Sequence, residues 1–305
     1  MSSRLRTVLA GVIGLVAGPA ASAQQNFLPG FAGLKDGTQA PPGIYAGVVG
    51  WGYNAGTVFT ASGQSVRLSS SYSEYVVGAL GSMVTNLKLL GANYGFTLLV
   101  PWASARLDIP RVNVNTGGGW GLTSIYLQPV NFGWHLTQAD FIVGYALYFP
   151  SGGWTFLGNS NFGLGMYTQE INAGSTVYLN AQKSVHFSAE LVYDINSLKR
   201  DTTYRQSDPL TLQGGLGVNY GQSKQPFSGW FGVSAYGQWT LHPTTYSVSL
   251  STISGTVTGP YSKNYGVGPE FVTLEGAITL RYLWQLGTRS AYQGGVWFAQ
   301  FAVPL

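Results

Sequence analysis

From His186 to Asn196 the chain alternates. His186, Ser188, Glu190, Val192, Asp194 and Asn196 share one parity, and Phe187, Ala189, Leu191, Tyr193 and Ile195 share the other. A period of two with the polarity on one side describes a half-exposed strand, whereas a helical wheel would scatter those carboxylates around its axis. The pattern returns at Phe141, Val143, Tyr145, Leu147 and Phe149, and at Leu90, Ala92, Tyr94, Phe96, Leu98, Val100 and Trp102. It returns again where Ile278, Leu280, Tyr282, Trp284 and Leu286 oppose Thr279, Arg281 and Gln285. A soluble sandwich would also alternate, so strand length decides. These runs last about 11 to 17 residues, well beyond the mode near 5–6 of globular strands. Tilted strands that cross a bilayer need about 9–11.

Twelve strands are predicted, at 43–59, 72–84, 87–103, 120–136, 139–149, 163–180, 185–197, 209–221, 229–241, 261–274, 276–287 and 294–305. Between them, long polar gaps (60–71, 104–119, 150–162, 198–208, 242–260 and 288–293) alternate with short turns near 85–86, 137–138, 181–184, 222–228 and 275. Long outer loops, short periplasmic turns and an even strand count characterise outer-membrane barrels. The expected fold is therefore all-β: an antiparallel transmembrane β-barrel of about 12 strands, of the outer-membrane type, over 43–305. Trp297, Ala299, Phe301, Val303 and Leu305 keep the alternation to the last residue, an amphipathic final strand of the kind that barrel assembly machinery recognises, though more often with a terminal Phe.

Composition narrows the picture further. Only 9% of residues are charged while 45% are apolar and 14% aromatic, against about 25% charged in soluble domains. Disorder is excluded, since it requires high charge and few aromatics. The net charge of +4 is no footprint for nucleic acid, and the absence of cysteine removes disulfides and thiolate chemistry. Residues 1–23 read as a secretory signal peptide: Arg4 and Arg6, an apolar run from Val8 to Ala17, and a small-residue cleavage site at Ala21-Ser22-Ala23. That run is too short to span a bilayer, which takes about 20 apolar residues. Because only helices and closed barrels satisfy every backbone group in lipid, an exported apolar chain without a second long apolar run is left with the barrel. The expected location is the outer membrane of a Gram-negative bacterium, in contact with its lipid. The segment 24–42 holds Phe27, Leu28, Phe31 and Leu34 without strand alternation; a luminal plug and a periplasmic tail both fit it.

Several segments, taken in order, resemble a known family. They are Pro42-Gly43 through Tyr53, Leu90-Gly91-Ala92-Asn93-Tyr94-Gly95 leading to Val100-Pro101, and Ile125-Tyr126-Leu127-Gln128-Pro129-Val130-Asn131-Phe132-Gly133-Trp134-His135. Tyr148-Phe149-Pro150-Ser151-Gly152, Phe162-Gly163-Leu164-Gly165, Gly266-Val267-Gly268-Pro269-Glu270 and Leu280-Arg281-Tyr282 continue the series. The resemblance is to outer-membrane proteins of the meta-pathway-of-phenol-degradation transporter family, distant relatives of the long-chain fatty-acid channel. It implies uptake of hydrophobic, often aromatic, compounds, and the fatty-acid relatives carry a luminal plug. One departure is Ser124, where the family pattern calls for an acidic residue.

Enzyme chemistry is thin. His135, His186 and His242 fall on separate elements, no Gly-x-Ser-x-Gly elbow occurs, and no carboxylate or His spacing suggests a metal site; no cofactor is expected. Gly117 to Gly119 precede no helix and make no phosphate cradle. The parity points Asp140, Glu170, Glu190, Asp194 and Arg281 into the lumen, as lipid exclusion requires even of a purely structural network, because Arg facing midplane lipid costs about 2–4 kcal/mol. Trp51, Trp102, Trp134, Trp239 and Trp284 mostly fall on the outward parity, as interfacial girdles. Leu89, Gly91, Gly95 and Ala146 are assigned inward, and Phe27, Phe31, Tyr148, Tyr178 and Phe298 are the candidates for an apolar path. The leading reading is an outer-membrane channel for hydrophobic, aromatic small molecules. A general diffusion porin and a structural barrel without transport are the alternatives; the sparse inward charge speaks against the first of these.

Overall fold

The computed structural model describes residues 25–66, 69–155, 161–221, 227–250 and 253–305; the expected leader at 1–23 lies outside them. Twelve long strands build one closed antiparallel sheet. They are β1 (Gly43–Phe59), β2 (Ser71–Leu89), β3 (Ala92–Ile109), β4 (Ile125–His135), β5 (Ala139–Phe149) and β6 (Thr168–Tyr178). β7 (Val185–Asn196), β8 (Asp208–Tyr220), β9 (Gly229–His242), β10 (Lys263–Thr273), β11 (Ile278–Arg289) and β12 (Ala291–Pro304) follow. Each pairs with the next in sequence, and β12 returns to β1 from Tyr45↔Pro304 to Phe59↔Ala291. Closure leaves the wall without a free edge, the condition for a sheet in lipid. Short strands at Ser65–Val66, Val114–Gly117 and Gly121–Leu122 extend the wall at the end that carries the long connections, and a separate hairpin, Thr245–Leu250 with Ile253–Thr258, fills one of those connections.

Several boundaries shift from the sequence reading, each for a local reason. The turn expected near 85–86 lies at Leu90 and Gly91, whose φ values of 50° and 83° give the two positive dihedrals of a two-residue type I′ hairpin. Leu89 and Gly91, assigned to the lumen, are therefore exposed at that turn. The strand expected from 120 is split: Gly121 and Leu122 pair with β3 as a short piece, and after Thr123 N donates to Pro101 O (3.0 Å) the long strand begins at Ile125. The gap at 288–293 shrinks to Ser290 alone, between Arg289 and Ala291.

The barrel is polar inside and apolar outside. On β7, His186, Ser188, Glu190, Val192, Asp194 and Asn196 are buried while Phe187 and Leu191 are 50% and 44% exposed. Phe141, Val143, Ile171, Leu212, Phe231, Val233, Phe271, Leu280 and Trp284 continue this outer band. Large apolar side chains this densely exposed would be untenable in water and are the lipid-facing surface of a transmembrane barrel. Trp102 and Trp284 are exposed as expected, but Trp51 is not: it is 3% exposed and points inward. The reason lies in β1, where Val49, Trp51, Tyr53 and Ala55 form the inner row and Ile44, Val48 and two glycines sit on the other face, so polarity does not mark the side.

The lumen itself is two-sided. β1–β3, β9, β11 and β12 contribute an apolar, aromatic half built from Val49, Trp51, Tyr53, Tyr72, Val76, Ala103, Tyr236, Leu283, Val296 and Phe298. β6–β8 contribute Thr168, Glu170, Asn172, Glu190, Asp194 and Gln213. Residues 25–42 run between these halves, from the long-loop end to the short-turn end. Asn26 Nδ2 donates to Thr168 on β6 (2.6 Å), Trp51 Nε1 on β1 to Pro29 O (3.3 Å), and Ala32 N to Gln213 on β8 (3.3 Å). Lower down, Gly37 N donates to Ser188 on β7 (3.0 Å), Thr38 Oγ1 to Asp140 on β5 (2.9 Å), and Gln39 Nε2 to Asn131 O on β4 (3.0 Å). Pro41 and Pro42, which cannot donate to a ladder, hand the chain over to β1.

Candidate functional site

Two features of the interior carry chemistry, and both depend on the N-terminal segment. The first is a clamp around Gly33. Arg281 on β11 donates through Nε to Glu270 Oε2 on β10 (2.7 Å) and through Nη1 to Gly30 O (2.7 Å). Glu270 Oε2 also accepts from Leu34 N (3.0 Å) and from Ser234 Oγ. Both charges are almost fully buried, where an ion pair holds only if its remaining hydrogen-bonding capacity is met; here the segment's own backbone meets part of it. The chain can pass so closely only as glycine: a Cβ on Gly33 would lie 2.0 Å from Arg281 Nη2 and from Glu270 Oε2. Phe298, 5.0 Å below the guanidinium, packs edge-on against Phe31 at 5.0 Å.

The second feature is a cavity of about 350 Å³ towards the long-loop end, between residues 25–31 and the walls of β2 to β6. Phe27, Leu28 and Phe31 form one side, facing Val76, Leu80 and Leu99. The lining surface is mostly apolar, and four charged side chains, Glu74, Arg106, Glu170 and Lys199, stand among its polar groups. Glu170 accepts from Tyr148 OH (2.8 Å) and Tyr126 OH (3.3 Å), whose rings meet edge-on at 4.9 Å. Across the cavity, Glu74 accepts from Tyr72 OH (2.8 Å). Ser124 also lines the space; its Oγ is buried and has no hydrogen-bond partner among the described residues. At the roof stands Lys199, in the loop after β7, beside the Tyr204 ring at 5.2 Å; burial lowers its ammonium to about 8. An apolar pocket with a few fixed polar groups is the usual form of a small-molecule site.

The candidates read from the sequence divide between these features. Phe27, Phe31 and Tyr148 line the cavity, and Phe298 backs it through Phe31. Tyr178 sits at the opposite, short-turn end, where its hydroxyl donates to Asp140 Oδ2 (2.6 Å) beside Thr38. Of the polar candidates, only Glu170 reaches the cavity. Asp140 and Arg281 bind the segment. Glu190 accepts from Asn172 (2.7 Å) and Gln213 (3.1 Å), and Asp194, 1% exposed, is paired in register with Glu170. Gly95 and Ala146 face inward as expected, Gly95 against Gln39 and Ala146 at 0% exposure.

Sequence reasoning missed Glu74, Glu270 and Lys199 as interior residues. For Glu74 a signal existed: a lone carboxylate in a bilayer-crossing strand must point inward for the same reason as Glu170. Among the described residues no group of three or more His, Asp or Glu could hold a metal ion.

A family model described as "Putative MetA-pathway of phenol degradation" matches residues 54–299. Among solved structures, the COG4313 outer membrane channel from Pseudomonas putida F1 aligns with a TM-score of 0.69 at 12% identity, covering 90% of this chain and all of that one. The Pseudomonas putida toluene transporter TodX aligns with a TM-score of 0.40 at 14% identity, over 96% of this chain and 92% of that one. No curated protein sequence matches the chain. The likeness to the first of these structures shows a shared fold, that of an outer-membrane barrel.

Proposed function

The chain belongs to the MetA-pathway of phenol degradation family, and from that premise we propose that it is an outer-membrane channel admitting hydrophobic, aromatic small molecules. The observation that carries this reading is the cavity of about 350 Å³ walled by Phe27, Leu28 and Phe31 on one side and by aliphatic side chains on the other. A pore for polar solutes gains nothing from such walls, whereas an apolar solute leaving water for them is stabilised by roughly 25 cal/mol for each Å² buried. Residues 25–42 act as the plug in this scheme, held by hydrogen bonds to both halves of the lumen, and a plugged lumen speaks against free diffusion of hydrophilic solutes. Residues 1–23 are removed on export, and β12, with Phe301 on its lipid side, serves as the strand that the assembly machinery reads.

The test compares a deletion strain with strains complemented by the full protein and by a form lacking residues 27–34. With an aromatic growth substrate at limiting concentration, the full protein should restore accumulation. The shortened form should raise the passage of small ions in planar bilayers and lose its advantage for the aromatic compound. Equal aromatic uptake with and without the protein, together with large ion conductance of the intact chain, would instead establish a general porin.

A further inference from the structure

The dimensions and polarity of the cavity say more about its occupant than the fold does. A dry cavity of about 150 Å³ takes one benzene ring, and this one holds about 350 Å³, room for two fused or linked rings. Polar groups must also be satisfied when an occupant displaces water, because a buried group left unpaired costs more than its bond gains. Among the described residues, Glu74 accepts a single hydrogen bond, from Tyr72, and Ser124 Oγ, on a residue 3% exposed, makes none. Spare capacity of the kind a donor can use is therefore a carboxylate acceptor, Glu74, and a hydroxyl, Ser124, both in the lining of the cavity. Two carboxylates, Glu74 and Glu170, and two cations, Arg106 and Lys199, line the space, so an aromatic anion meets no unbalanced cation there and brings no donor for Glu74.

We propose that this cavity binds a two-ring aromatic molecule carrying one neutral hydrogen-bond donor, with Glu74 and Ser124 as the residues that select the donor over the plain hydrocarbon. The inference rests on the reading of the protein as a channel for aromatic solutes and sharpens its substrate class. In this arrangement the rings lie against Phe27 and Phe31, and the substituent's O–H donates to the Glu74 carboxylate or pairs with the Ser124 hydroxyl.

The test is calorimetric titration of the full detergent-solubilised chain, against empty micelles, with naphthol, naphthalene, phenol and naphthoate. Naphthol should bind about tenfold more tightly than naphthalene, the scale set by one hydrogen bond to a charged group, and at least tenfold more tightly than phenol, which leaves half of the space unfilled. Naphthoate should bind more weakly than naphthol. In the Ser124→Ala, Glu74→Met double variant, which leaves no side-chain oxygen at either position, the margin of naphthol over naphthalene should vanish while naphthalene still binds, a readout that misfolding would not give. Equal affinity of the intact protein for naphthol and naphthalene, a margin that survives in the double variant, or tightest binding of naphthoate or phenol would overturn the assignment and leave the aromatic-channel reading standing. Failure of all four compounds to bind would remove that broader reading as well.

Discussion

Replacing Gly33 with alanine should unseat the N-terminal segment without harming the barrel. The added methyl would lie 2.0 Å from Arg281 Nη2 and Glu270 Oε2 and 2.3 Å from Arg281 Cζ. Neither partner can move cheaply, because Arg281 is bound to Glu270 and to Gly30 O, and Glu270 to Leu34 N and Ser234. The barrel's own bond, Arg281 to Glu270, survives if the segment leaves. The bonds lost are Arg281 to Gly30 O and Leu34 N to Glu270, each involving a charged group and worth about 1.5–3 kcal/mol. Together they shift the seating equilibrium by about 3–6 kcal/mol, a factor of roughly 10² to 10⁴. Lys35 is the single trypsin target between residues 25 and 42, and in the seated state its ammonium lies 4.1 Å over the Trp230 ring inside the barrel. Cleavage after Lys35 in the folded, detergent-solubilised protein therefore reports the unseated fraction, and ion conductance should rise with it. Gly81→Ala is the control, since a Cβ there meets nothing within 4 Å. If the Gly33→Ala protein resists trypsin as the parent does and conducts no better, the clamp does not hold the segment.

Other outcomes follow from the same geometry. Leu191→Arg places a cation on the lipid face and should cost about 2–4 kcal/mol near the midplane, seen as loss of the heat-modifiable folded band on gels, whereas Asp194→Asn should keep that band; equal tolerance of both would refute the facing of β7. Arg281→Met leaves the Glu270 charge buried and unpaired and should destabilise the barrel by about 3–5 kcal/mol in denaturant titrations. Adding Glu270→Gln should recover much of the loss, and a double variant no more stable than the single one would argue against the pair's isolation from other charges.

Much of this was legible in the chain, and the exceptions share a cause. β7 reads correctly, to within a residue at its end, because its inner parity carries Glu190 and Asp194 while the outer carries Phe187 and Leu191. β1 has no such contrast: its inner row packs against the N-terminal segment and is as apolar as a row facing lipid, so Trp51 is misplaced by any argument from polarity. The cavity was half visible. Phe27 and Phe31 stand out as aromatics in a segment without alternation, but their opposing wall is assembled from β2 and β3 by register, and nothing near Ser124 in sequence announces that its hydroxyl has no partner among the described residues. The turn-end location of Tyr178 was equally hidden, since inward parity gives the face of a strand and not the height along it.

The path of residues 25–42 also bears on how the barrel comes to be closed. Their hydrogen bonds reach β1, β4, β5, β6, β7, β8, β10 and β11, strands that are far apart around the circumference. The seam between β12 and β1 joins Pro304 to Tyr45, residues far apart in sequence, and non-local pairings of that kind are slow to form. Once the seam is shut, the segment can leave and return only lengthwise, through the short-turn end at which it joins β1. Laid down while the sheet is still open, it can instead bridge strands that do not yet touch and curve the sheet around itself. In that order of events the segment is the mandrel on which the cylinder is wound.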